Sequence, residues 1–325
     1  MNNVRYSRKR MLELLAIKDD VLRLHEQSGA LSDTEGPREE YSAADLSLYR
    51  GRLKVRPARL PPRRQLFLNF KGGTGKTSLS VSYGHRLAEL GHRVLMIDLD
   101  SQGHASKWLG YEGDTCEETL FDVLIKKRPL AEVRIETPLS ELHLLPANLR
   151  MATLDIALMP LAAREVRLRR ALEPVIQDYD FVVMDAPPSF GLLNLNAIVA
   201  ADDLIVPVLP DFLSFHGLKL LFETLDDVEE DLEHHLDRIF VVINQYNPTT
   251  TIARAAKEAL EQHYKEYLLP NVVRQSTKFA QASSESLPMF AFDATCKGAK
   301  DIQHLIDSTR LLGRTRPPEL REQAV

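Results

Sequence analysis

The sequence predicts an α/β fold, with a mostly parallel twisted sheet and helices on both faces, on three observations. From Gln65 onward, short apolar runs alternate with amphipathic stretches of helical period, as when strands buried on both faces are joined by helices. An apolar run, LFLNF, leads straight into the glycine-rich KGGTGKTS at 71–78 and then an apolar-periodic stretch. Two later apolar runs end in aspartate, at Asp98 and Asp185, on the carboxyl edge where open α/β sheets bind ligands.

The elements follow in chain order. Over residues 7–27, Met11, Leu14, Leu15, Ile17, Val21, Leu22 and Leu24 recur near helical spacing, and Gly29 ends that helix. SDTEGPREEYSAADLS reads as polar loop with a short helix at its end. Residues 50–64 carry seven basic side chains, no acidic one and three prolines, so an extended, mobile linker is expected there. Beyond it, strands are expected at 66–70, 93–98, 142–145, 181–185, 203–208 and 238–243. Helices are expected at 76–90, 117–126, 163–177, 191–200, 214–233, 251–266 and 298–312. The chain thus divides into an N-terminal extension with one helix and a basic linker (1–64), a main α/β domain (65–313) and a flexible tail (314–325).

Bulk properties narrow the classes. At 325 residues with 44% hydrophobic and 27% charged side chains, the chain has an ordinary globular composition. The net charge of −5 hides an asymmetry: residues 1–64 hold 14 Lys/Arg against 9 Asp/Glu, and the remainder 27 against 37. A protein acidic over most of its length can bind nucleic acid only through local basic patches. No apolar run of membrane-spanning length occurs, and the first residues lack a secretory pattern. Cys116 and Cys296 form no CxxC pair. A reduced, cytoplasmic setting is expected.

A helix N-terminus following a glycine-rich turn aims several N–H groups at one spot and favours an anion there. Gly72, Gly73 and Gly75 let the backbone wrap a phosphate, Thr74 and Ser78 belong to the same loop, Lys76 faces the outer phosphates, and Thr77 offers a hydroxyl to Mg²⁺. Carboxylates at Asp98, Asp100 and Asp185 lie downstream in an arrangement suited to a metal.

The usual GxxxxGK[ST] pattern requires glycine where Phe70 stands. What stands instead is K-G-G-x-G-K-[TS], which resembles the deviant P-loop of the ParA/MinD ATPases. The segments HRVLMIDLDSQGHAS (92–106) and YDFVVMDAPPSFG (179–191) resemble that family's D-x-D-P-Q turn, with Ser101 in place of the proline, and its Walker B strand. The resemblance covers about 65–312. It implies a P-loop NTPase fold with ATP and Mg²⁺ as cofactors, and Lys71 reaching the partner's phosphates across an ATP-dependent homodimer. It further implies Asp100 orienting or activating the attacking water, Asp98 near the Mg²⁺ hydration shell, Asp185 holding Mg²⁺ through water, and Asn244 contacting adenine.

Within the family, the tail GRTRPPELREQAV lacks the amphipathic membrane helix of MinD-type proteins, and no paired cysteines suit a shared iron–sulfur cluster. TKFAQASSESLPMFAFDATCKGAKDI (277–302) resembles the ParA-like C-terminal signature, a turn followed by a strand and then a helix. Lys278 there falls where the family places a DNA-backbone contact, with Arg274 upstream and Arg254 and Lys297 as further basic candidates. The expected function is a slow, partner-stimulated ATPase that binds double-stranded DNA without sequence preference as an ATP dimer. It would position a cargo complex on the nucleoid, with the cell-division site as the leading cargo and chromosome or plasmid partition as the alternative. A metabolic or metal-chaperone ATPase of the same fold, and a scaffold with a structural ATP site, are the other readings. The extension is too short for a helix-turn-helix domain; it could dock an activating partner, or its linker could add a second DNA contact.

Overall fold

A computed structural model describes residues 4–27, 38–112 and 116–311. The expected helix end at Gly29 and the tail 314–325 lie outside the described residues. Near the N-terminus, strand β1 (Arg5–Ser7) pairs antiparallel with β2 (Glu40–Ser42), and helices α1 (Arg8–Leu15), α2 (Asp19–Gln27) and α3 (Ala43–Leu53) surround them.

The extension therefore departs from the one-helix expectation. The stretch 7–27 breaks because Ala16 adopts a left-handed conformation at φ 51° and closes α1 with its own N–H. At α3, Ser42 and Asp45 form a reciprocal capping box. Tyr6, Met11, Leu15, Leu22, Tyr41, Leu46 and Tyr49 are fully buried, in one apolar cluster with Phe67, Leu79, Leu87, Val94 and Leu305 of the remaining chain.

The principal sheet comprises β3 (Arg63–Phe67), β4 (Val94–Asp98), β5 (Ile135–Glu136), β6 (Leu142–Leu145), β7 (Phe181–Asp185), β8 (Asp203–Val208) and β9 (Arg238–Ile243). Its spatial order is β5-β6-β4-β7-β3-β8-β9, parallel throughout except for the short antiparallel β5. Side-chain alternation divides the core. Leu66, Leu95, Ile97, Val182 and Met184 face one layer of helices, while Phe67, Val94, Met96, Phe181 and Val183 face the other. The second face is covered by α4 (Lys76–Glu89), the extension and the C-terminal helix Lys297–Leu311.

Strands β6 to β9 fall at the expected residues. β3 starts earlier than 66 because its opening arginines find carboxylates at the sheet edge: Arg63 pairs with Asp203 and Asp237, and Arg64 with Asp202. The single helix expected over 163–177 is instead a 3₁₀ turn (Arg164–Val166), a helix (Arg167–Leu172) and a second 3₁₀ turn. Pro174, lacking an N–H, interrupts it. The strand expected after the turn in 277–302 is a short helix, Met289–Asp293, entered through Pro288. Met289 is buried there, and its N–H donates to Ser82 Oγ on α4 at 3.3 Å.

The linker expected over 50–64 is also docked rather than mobile, and its first residues belong to α3. Leu53, Val55 and Leu60 pack on the core. Arg50 is fully buried, lies 3.2 Å from Glu141 and donates to the Glu89 carbonyl at the end of α4 at 2.5 Å. Removing one partner of a buried ion pair leaves the other charge unmatched, at a cost of about 3–5 kcal/mol. Arg50→Ala should therefore lower unfolding free energy by roughly that amount in urea titration, although Arg50 is remote from the glycine-rich loop.

Candidate phosphate and metal site

The glycine-rich loop leaves β3 through Leu68 to Phe70 and enters α4. Gly73 and Gly75 sit at φ 74° and 85°, the left-handed region that costs glycine little. At Gly75 the glycine is needed twice over, because a Cβ there would meet Asn244 Nδ2 at 2.2 Å. The Asn244 amide donates to the Thr74 carbonyl at 2.7 Å, and Gln245 Nε2 donates to the Gly73 carbonyl at 3.1 Å. The end of β9 thus fixes the outside of the loop. Asn244 is buried with its donor spent on the loop, a bracing role beyond the adenine contact expected of it.

Lys76 is buried, and burial lowers its pKa against the pull of Asp185 and Asp100. Its ammonium donates to the Lys71 carbonyl at 3.2 Å, so it curls back over the loop. Thr77 lies near enough to Asp185 to hold its pKa down, and Ser80, one helical turn further, donates its Oγ hydroxyl to Asp185 Oδ1 at 2.9 Å. Sequence reasoning missed Ser80; its place three residues beyond Thr77, on the same helix face, was the available signal. Gly72 is exposed and Ser78 half-buried on the rim.

Asp98 and Asp185 are register partners on adjacent parallel strands, and both are fully buried. Burial, followed by repulsion from Asp98, pushes Asp185 up to about 7. Burial pushes Asp98 up to about 6, against hydrogen bonds from Ser106 and Asp100. Asp185 Oδ2 is buried without a partner, and beside it lie a hydroxyl and an ammonium. Those groups fit a hydrated Mg²⁺, which when bound would neutralise phosphate charge; Thr77 and Asp185 are the residues placed to hold it.

Asp98 lies beside Asp185, where the expectation put it, and also braces the following turn. Its Oδ1 accepts from Asp100 N at 3.1 Å, and its Oδ2 accepts from Ser106 N and Oγ, both at 2.8 Å. Both oxygens are spent holding the 100–106 turn, so Asp98 fixes the element that carries Asp100. Asp100 is half-buried and near enough to Lys76 to act on its charge. His104, which the sequence reading did not single out, lies 3.9 Å from Asp100 Oδ2.

Lys71 points away from Lys76. Its ammonium contacts both oxygens of Asp211, at 3.0 and 2.7 Å, while Asp211 also caps the helix Leu213–Leu232 through Ser214. Asp211 was likewise missed, being distant in sequence and outside any motif. Lys278 is far less enclosed, 43% exposed and 3.5 Å from Asp293, with its ammonium over Phe292. Arg274 is committed to the buried Asp301 through several hydrogen bonds, so its guanidinium serves the fold. Arg254 donates to the Pro248 carbonyl, and Lys297 begins the C-terminal helix.

Comparison with known proteins agrees with this geometry. Residues 65–238 match the family model described as AAA domain. The chain is 57% identical over 303 residues, 93% of its length and 92% of the relative's, to the cell division protein PomZ of Myxococcus xanthus. It is 34% identical to the sporulation initiation inhibitor protein Soj of Bacillus subtilis, covering 71% of this chain and 92% of Soj. Among solved structures, cobyrinic acid a,c-diamide synthase from Mycobacterium smegmatis with bound ATP analogue and magnesium aligns with a TM-score of 0.66 at 29% identity. That alignment covers 79% of this chain and 98% of the synthase.

The raised Asp185 pKa has a stability consequence. Its folded value near 7 exceeds an unfolded value of about 3.9, so its contribution is full below pH 4 and is lost as pH rises through 7. Asp185→Asn, neutral at every pH, should raise the melting temperature of the nucleotide-free protein at pH 8, with the gain shrinking toward pH 5. The same variant should lose at least about tenfold in Mg²⁺-dependent ATP turnover.

Proposed function

Because the chain belongs to the ParA/MinD family of P-loop ATPases, with ATP and Mg²⁺ as its cofactors, we propose that it is a dimerising switch that positions a cargo complex. The observation that carries this reading is the likeness to PomZ, 57% identity across 93% of the chain. The site supports it through a deviant P-loop whose leading lysine is held by Asp211 and not by the loop itself. The cargo so positioned is the cell-division site. Chromosome or plasmid partition, suggested by the likeness to the chromosome partitioning protein ParA of Caulobacter vibrioides, is the second reading.

In this reading the loop N–H groups and Lys76 bind the phosphates of one nucleotide. Lys71 leaves Asp211 to reach the nucleotide of a second copy, which makes ATP part of the homodimer interface. Asp100, on the turn braced by Asp98, orients and activates the attacking water. Intrinsic turnover is slow, and a cargo-borne activator accelerates it. Lys278 contacts DNA phosphates without reading sequence, so the ATP dimer diffuses on the nucleoid within the cytoplasm. No described helix is long and apolar enough to cross a membrane.

The test is sizing and duplex-DNA binding with ADP, with ATP, and with ATP plus Asp100→Ala. The variant should stop turning over ATP and accumulate as a DNA-bound dimer. Lys278→Glu should weaken DNA binding about tenfold at low salt, consistent with lost phosphate contacts. ATP that alters neither mass nor DNA affinity overturns the reading and returns attention to substrate-coupled ATPases of this fold. Separately, Asp211→Asn should shift dimerisation to lower ATP concentration, because Lys71 is then held less firmly; an unchanged midpoint argues against the resting contact mattering.

A further inference from the structure

The layer of helices that covers Leu66, Leu95 and Ile97 contains a cleft apart from the nucleotide site. One wall is the helix Leu120–Leu124, the turn after it and the helix Leu130–Val133; the other is the helix Arg167–Leu172 with Pro174 and Val175. Arg167 ties the walls together by donating to the Leu124 carbonyl at 2.8 Å. The cavity measures about 420 Å³, within the range of small-ligand pockets. None of its lining residues belongs to the glycine-rich loop or to the Asp98–Asp185 pair.

The lining has two parts. Val123, Leu124, Leu130 and Val175 form an aliphatic floor continuous with the core, and Lys127, Arg128, Arg167 and Arg170 stand around it. Among the described residues no carboxylate, aromatic ring or uncharged polar side chain lines the cavity. Acids in the neighbourhood are already engaged. Glu118 and Glu132 both hold Arg128, at 3.0 and 3.1 Å, and the buried Asp122 holds Lys126 and Arg150. Lys127, Arg167 and Arg170 have no carboxylate within ion-pair reach among the described residues, and Arg167 Nε is buried without an acceptor. Three unmatched cations thus meet at one apolar cleft, in the part of the chain that is net acidic. The backbone at Lys127 is also costly. It adopts a left-handed φ of 59°, the chain turning so that Arg128 N donates to the Asp122 carbonyl at 3.1 Å. Glycine makes such a turn with less strain than any side chain, so the lysine stands there against the preference of the fold.

We propose that this cleft binds a small amphipathic anion, its aliphatic body on the floor and its carboxylate or phosphate head held by Lys127 and Arg170, with Arg167 behind them. A nucleotide matches the lining poorly, because no ring is present to stack on its base and no neutral donor or acceptor to read its edge. A protein anchor would draw on aromatic contacts, which the lining also lacks. An aliphatic chain with one charged end needs only what the cleft supplies, apolar surface to cover and charge-assisted hydrogen bonds at its mouth. Because the cleft and the phosphate site share no residue, ligand and nucleotide are held at the same time.

The test is isothermal titration calorimetry of the full-length protein, loaded with ADP and Mg²⁺, against octanoate, octyl phosphate, octanol and acetate. Octanoate or octyl phosphate should bind, and the tighter of the two identifies the head group. Octanol has the tail without the charge and acetate the charge without the tail, so each should bind at least about tenfold more weakly. The variant K127G/R170Q should weaken the tighter anion by at least about tenfold. Its melting temperature should stay at the wild-type value or rise, because glycine relieves the turn, and its ATP turnover should be unchanged. Ala171→Phe, which fills the cleft, should abolish anion binding. The proposal is overturned if neither octyl anion binds the wild type, if octanol binds equally well, or if K127G/R170Q keeps full affinity. An anion affinity that falls as ADP is added would put the ligand in the nucleotide site and overturn it as well.

Discussion

Two carboxylates buried side by side, Asp98 and Asp185, impose the constraint around which the molecule is organised. Adjacent parallel strands bring them into register, and no fold leaves two such charges together in its interior without compensation. The molecule answers asymmetrically. Asp98 is saturated by protein N–H and O–H donors and becomes a structural post for the 100–106 turn. Asp185 keeps one oxygen unmatched, and that vacancy in bonding suits a hydrated cation accompanying a nucleotide. The same residue makes the nucleotide-free fold less comfortable as pH rises and makes the liganded form worth reaching.

Around that pair, the rest of the site is braced from distant parts of the chain. Asn244 and Gln245, at the end of β9, hold the outer carbonyls of the phosphate loop, so the loop's shape depends on a strand two places away in the sheet order. Lys71 and Lys76, five residues apart, point to different neighbours: one to Asp211, the other into the loop.

The sheet and the phosphate site were legible in the sequence because their signals are local. Glycines, a lysine–threonine pair and apolar runs tipped by aspartate reveal themselves within a few residues. What was not legible depended on partners far along the chain. Nothing near Asp211 announces Lys71, and nothing near Arg274 announces Asp301, whose carboxylate occupies the guanidinium proposed for DNA. The bracing of Asp98 depends on Ser106, eight residues on, which donates to it twice. The extension was underread for a similar reason. Its cations suggested a free linker, while the sparse Leu53, Val55 and Leu60 among them dock it.

The apolar cluster on the α4 face joins Val4 and Tyr6 from the beginning of the chain to Leu305 and Ile306 near its end. During synthesis, Val4 and Tyr6 must therefore wait for Leu305 and Ile306 before the core they share can close. Contacts of such long sequence separation slow folding, and a nascent chain with one sheet face uncovered is exposed to aggregation in the interval. Closure of this core is thus timed by the emergence of the C-terminal helix rather than by the appearance of the nucleotide loop.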